Sequence, residues 1–75
     1  MNVVKVLDAK GLACPMPVVR ARKEIKVMAT GEVLEVLATD KGSVADLAAW
    51  SKSGGHTLLD QFEEAGVFKF YIQKG

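Results

Sequence analysis

The chain is poor in the residues with which small proteins usually do chemistry. It has one cysteine, Cys14, and one histidine, His56, among 75 residues. A single cysteine excludes an intrachain disulfide framework and any thiol pair that resolves its own disulfide. One Cys and one His are too few ligands for a zinc centre within the chain, so no metal is predicted. A phosphate-cradling glycine loop is missing as well: Gly11 stands alone, and Gly54-Gly55 reads as the end of a helix. No apolar run reaches the length of a membrane span, and the first residues lack the layout of a signal peptide. Excess charge of one sign is also absent. Ten basic against nine acidic residues give a formal net charge of +1, which is not the balance of a nucleic-acid binder. These absences predict a cytoplasmic protein with no membrane partner and no direct nucleic-acid partner. A lone thiol fits such a reducing compartment.

What is present is a foldable chain. Hydrophobic residues make up 49% of it, too many for disorder. A chain this short buries only about 60% of its unfolded surface, so residues 1–75 are expected to form a single domain with a modest core. Val3 to Leu7 is a Val-rich run that reads as a strand ending at Asp8, followed by a loop over residues 9–14. From Pro15 to Met28 the spacing turns helical, with Val18, Ala21, Ile25 and Met28 on one stripe and Arg22, Lys23 and Lys26 facing away. Thr30-Gly31-Glu32 is a turn, and Val33 to Thr39 alternates as a half-buried strand with Leu34, Val36 and Ala38 inward. Ser43 has the character of an N-cap, with Asp46 as its capping-box partner, for a second helix whose inner stripe is Val44, Leu47, Ala48 and Ser51. Thr57 to Glu63 and Val67 to Gln73 form a hairpin through Glu64-Ala65-Gly66. Phe68, Phe70 and Ile72 share one face of its second strand. The order β-α-β-α-β-β predicts an α/β fold: a two-layer α/β sandwich, a mixed four-stranded sheet with both helices on one face and the first two strands parallel.

Cys14 stands in Gly11-Leu12-Ala13-Cys14-Pro15-Met16-Pro17. A following proline drives Cys14 to extended backbone, the conformation of an N-cap. Proline is also favoured at the first helical position, where its missing N–H is no loss. Cys14 is therefore expected to cap the first helix, with Pro17 as an alternative start. The helix dipole and the Met16 amide would then favour the thiolate, although Pro15 and Pro17 remove the other nearby donors. Burial as a small hydrophobe is the plain alternative for a free cysteine, but a loop position argues against it. His56 is too far along the chain to be a base for Cys14 unless the fold returns it there; a turn histidine is the plainer reading. No His/Asp dyad accompanies the sulfur.

The stretch from Leu7 and Asp8 through Gly11 to Cys14-Pro15-Met16-Pro17 resembles the signature of the TusA (SirA-like) sulfur-carrier family, whose hallmark is Cys-Pro-x-Pro at the start of the first helix. The likeness continues through Gly31-Glu32, Thr39-Asp40, Gly42-Ser43, Ala49-Trp50, Ser53-Gly54-Gly55-His56 and the closing hairpin, and so spans essentially the whole chain. The resemblance implies a free-standing, cofactorless carrier. Its Cys14 would accept sulfane sulfur as a persulfide from a cysteine desulfurase or a rhodanese-type sulfurtransferase and relay it to an acceptor protein, in tRNA thiolation or other sulfur trafficking. It would act as a monomer, with turnover depending on its partners. Pro15, Pro17, Gly11 and Asp8 would shape the motif. Lys10, Arg20, Arg22 and Lys23, with Lys26, would offer a basic docking face beside Cys14, and Lys10 is the first candidate for tuning the sulfur. The plain reading of these charges is a solvated helix face. Asp8 and Asp40, at the ends of the parallel strands, are placed to cap loop amides, and Trp50 to edge the core. Some members of the family carry a second cysteine where this chain has Ser51, so a two-thiol relay is excluded. Two other classes stand beside the carrier. A self-sufficient thiol enzyme is disfavoured by the missing base and resolving thiol. An RNA-binding or regulatory module is disfavoured by the neutral charge and the lack of aromatic-basic interleaving on a strand.

Overall fold

A computed structural model describes residues 2–75. It consists of β1 (Val3–Ala9), α1 (Met16–Lys26), β2 (Val33–Ala38), α2 (Gly42–Ser53), β3 (Thr57–Glu64) and β4 (Val67–Gln73). The strands form one sheet in the order β1-β2-β4-β3, with β1 parallel to β2 and the other neighbours antiparallel. The predicted mixed four-stranded sheet is therefore present, and α1 connects its parallel pair.

Alternation sets the two faces of the sheet. Leu34, Val36 and Ala38 of β2 and Phe70 and Ile72 of β4 are buried toward the helices, where they meet Ala21 and Ile25 of α1 and Leu47 of α2. Leu7 and Ala9 extend this core along β1. The strand thus runs past Asp8, and Ala9 is fully buried rather than part of the loop. Pairing with Ala38 holds it in the ladder. The opposite sheet face is uncovered: Val4, Val6 and Phe62 remain exposed on the two edge strands. The β3–β4 hairpin turns through Ala65 and Gly66, both at positive φ (52° and 83°). Two successive left-handed residues are the turn that matches the twist of a tight hairpin.

Both helices begin differently from the sequence expectation. Pro15, not Cys14, is the N-cap of α1, because the Pro15 carbonyl accepts the first helical bond from the Val19 N–H at 3.0 Å. Met16 takes the first helical position despite preceding Pro17. In α2 the helix starts at Gly42 with Lys41 as its cap, so Ser43 lies inside the first turn and is buried. The Ser43 N–H donates to the Asp40 carbonyl (3.1 Å) and its hydroxyl to the Asp40 carboxylate (3.3 Å). Asp40 has taken the place in the turn that local spacing gave to Ser43, which frees the Asp46 side chain.

Candidate functional site

Cys14 is exposed and lies between the end of β1 and the start of α1, at the sheet edge where the parallel strands end. Two bonds across the chain hold its loop. The Gly11 N–H donates to Thr39 Oγ1 at 2.9 Å, and the Cys14 N–H donates to Asp40 Oδ2 at 3.0 Å. Gly11 sits at φ 80°, a left-handed conformation that suits glycine. A third bond closes the loop on itself, from the Met16 N–H to the Ala13 carbonyl at 2.9 Å, and the Cys14–Pro15 peptide within this turn is cis. Pro17 is fully buried under the start of α1, while Pro15 is exposed. Gly11, Leu12, Ala13, Thr39 and Asp40 line a shallow depression beside the sulfur.

The sulfur itself turns to α2 and donates its hydrogen to the carboxylate of Asp46. Approach is close here. A Cβ on Gly42 would stand 3.6 Å from Cys14 Cβ and 3.2 Å from Asp40 Oδ2. The electrostatics reverse the sequence expectation of a favoured thiolate. The Asp46 hydrogen bond, then desolvation, then the charges of Asp46 and Asp40 push the Cys14 thiol above its ordinary range. The Met16 amide does not offset them, since Ala13 already accepts it. These groups favour the protonated thiol over the thiolate.

The remaining candidates divide. Asp8 Oδ1 accepts the Lys10 N–H (3.0 Å), and Lys10 Nζ stays 3.9 Å from Asp8 Oδ2. Lys10 therefore does not tune the sulfur; the charges that do are carboxylates. Arg22 and Lys23 join Lys26 and Val19 around a depression on the outer face of α1, which Lys10 and Arg20 do not line. Lys23 and Lys26 occupy the last turn of α1, where cations suit the helix dipole. His56 is not at the thiol. It lies with Arg22, Ile25, Lys26 and Trp50, its ring 5.4 Å from that of Trp50, and its Nδ1 accepts the Gly75 N–H at 3.0 Å. Trp50 is half-buried against the core. Ser51 is buried, and its hydroxyl donates to the Leu47 carbonyl at 2.8 Å. Asp46 is the site residue that sequence reasoning assigned elsewhere. The Ser43-x-x-Asp46 spacing pointed to a local cap, whereas the contact with Cys14 spans 32 positions.

No helix among the described residues is long and apolar enough to cross a membrane. Comparison with known proteins adds the lineage of this site. The profile of the family described as Sulfurtransferase TusA matches residues 5–74. YrkI of Bacillus subtilis is 63% identical over 75 residues, covering all of both chains. The sulfur carrier protein TusA of Allochromatium vinosum is 50% identical over 68 residues, covering 91% of this chain and 90% of its own. The crystal structure of a SirA-like protein from Desulfitobacterium hafniense superposes with a TM-score of 0.83 at 29% identity, covering 95% of this chain and 97% of that one. With a matching profile over nearly its whole length, relatives that match it end to end, and the SirA-like arrangement of two helices on a mixed sheet, the chain belongs to the TusA family of sulfur carriers.

Proposed function

We propose that Cys14 carries sulfane sulfur as a persulfide between a donor and an acceptor protein. The observation that supports this most is the exposed thiol on a loop held by the bond from the Cys14 N–H to Asp40, with a carboxylate, Asp46, and no histidine or lysine against the sulfur. In the loading step the Cys14 sulfur attacks the terminal sulfur of a donor persulfide. The donor's S–S bond breaks, an S–S bond forms on Cys14, and the donor leaves as a thiol. One proton passes from Cys14 to the donor, so Donor–S–SH and Cys14–SH become Donor–SH and Cys14–S–SH without net oxidation. Unloading repeats the exchange with an acceptor thiol. A thiol that rests protonated needs its proton removed for attack, so the donor's site supplies the base. A cysteine desulfurase or a rhodanese-type enzyme fits the donor role, and a protein of tRNA thiolation or of another sulfur pathway the acceptor role, all in the cytoplasm.

Partner docking fits the outer face of α1. Met16 and Val19 are exposed there beside Arg20, Arg22 and Lys23, which together suit an acidic partner rim with an apolar centre; Lys10 extends this basic character on the loop. Pro17, buried beneath, fixes where the helix starts. The carrier acts as a monomer in this scheme.

The uncovered sheet face does hold an aromatic pair, Phe62 and Tyr71, with ring centroids 6.0 Å apart and Lys69 Nζ 5.8 Å from the Phe62 centroid. Carboxylates surround it: Glu64 holds Lys69 at 2.8 Å, and Glu35 and Asp60 act on Tyr71. Such a face repels phosphate, which disfavours RNA as the ligand. Incubation with a desulfurase and cysteine, or a rhodanese and thiosulfate, is expected to add the mass of one sulfur to the protein and none to Cys14→Ser. No gain with any donor, or a gain that survives the substitution, would refute the carrier.

A further inference from the structure

The bond from Cys14 to Asp46 exists only while the sulfur has a hydrogen to give. The empty and loaded forms of a persulfide carrier differ in this respect. An empty thiol donates. In a loaded Cys14 the inner sulfur has lost its hydrogen, and the outer one is anionic, because a persulfide is a stronger acid than its parent thiol. A carboxylate accepts from the first form and repels the second. The charged groups that face the sulfur share one sign: Asp46 on α2 and Asp40 on the β2–α2 loop. Asp40 is fixed by the Cys14 N–H and the Ser43 hydroxyl. Lys10, the basic residue nearest in sequence, is turned to Asp8. Lys41 on the same loop and Lys52 in the last turn of α2 are the basic residues of these elements, and neither is among the groups that act on the sulfur.

We propose that Asp46 is a positioning residue that distinguishes the empty from the loaded carrier: it seats the empty Cys14 thiol against α2 and drives the persulfide anion outward, toward an acceptor. The proposal rests on the persulfide reading above. It gives the carrier a bias toward unloading that comes from its own surface.

Asp46→Asn removes the charge and keeps an acceptor oxygen, and Asp46→Ser removes both charge and reach. Both alter an exposed side chain. Asp60→Asn, on exposed β3, is the control for loss of one remote charge. The first measurement is the pH midpoint of Cys14 alkylation by iodoacetamide in the empty protein, which needs no sulfur donor. It is expected to fall in both Asp46 variants and to stay in place in Asp60→Asn. The second is the ratio of persulfidated to free protein at equilibrium with a desulfurase and cysteine, read by intact mass. It is expected to rise about two- to fivefold in the Asp46 variants, the range that one exposed charge interaction supplies. A midpoint that does not fall, with normal loading, overturns the assignment of Asp46 alone. A falling midpoint without a rise in the loaded ratio overturns the outward drive. Failure of the wild type to load with any donor overturns the carrier reading, and the proposal with it.

Discussion

Cys14 and its two aspartates show how one side chain acquires a property that its neighbours in sequence do not predict. The Cys-Pro-x-Pro stretch is legible from sequence because its prolines act locally on backbone and donors. The carboxylates that set the protonation of the sulfur lie 26 and 32 positions away, and nothing in the local text announces them. The sign of their effect on stability follows by linkage. A thiol held above its ordinary range binds its proton more tightly in the folded protein than in the unfolded chain. The stability this contributes is complete at neutral pH, below the ordinary thiol range, and is lost as pH rises through that range to the folded value. Denaturant midpoints of the wild type should therefore fall more steeply on the alkaline side than those of Cys14→Ala. Equal slopes would place the Asp46 contact outside the folded solution state.

At the level of elements, periodicity locates the strands and helices well, because burial repeats every second residue or every three to four. Their ends follow from contacts that periodicity does not carry. Ala9 joins β1 because Ala38 pairs with it, and α2 starts ahead of Ser43 because Asp40 supplies the turn. The β3–β4 hairpin is the opposite case: its turn is legible, although Glu64, read as part of the turn, pairs with Val67 and belongs to β3, and it is also improvable. Ala65 occupies a left-handed conformation that costs a residue with a Cβ about 1–2 kcal/mol. Asparagine is preferred at the first position of this turn. Ala65→Asn is expected to stabilise the domain by about 1 kcal/mol and to raise its Tm by about 4–8 °C, as calorimetry would show. A lower Tm would mean that the turn is not of this type in solution.

For the molecule as a whole, the strand order is the least local feature. No short pattern says that β4 rather than β3 borders β2, but composition explains it. Phe70 and Ile72 need cover and sit on the inner strand, whereas Asp60, Gln61, Glu63 and Glu64 tolerate the sheet edge. Charge on an edge strand also discourages pairing with another molecule. The core is correspondingly small and has little reserve. A domain of this length is stable by about 4–11 kcal/mol at the usual value per residue. Phe70→Ala removes the largest fully buried side chain at a cost of about 3–5 kcal/mol. It should remove a large share of that stability and lower the denaturant midpoint in proportion. A fully cooperative transition at the wild-type midpoint would show that the core is not organised around Phe70.

The two bonds that seat the sulfur loop have a further consequence. In each, the β1–α1 loop gives only a main-chain N–H, while Thr39 and Asp40 give the side chains. The specification of the loop is therefore written on the far side of the site. Ala13 and Met16, both exposed, are open to randomisation in a library that seeks new docking specificities, and the sulfur stays where it is. The same freedom at positions 39 and 40 dismantles the seat without touching a single residue of the motif.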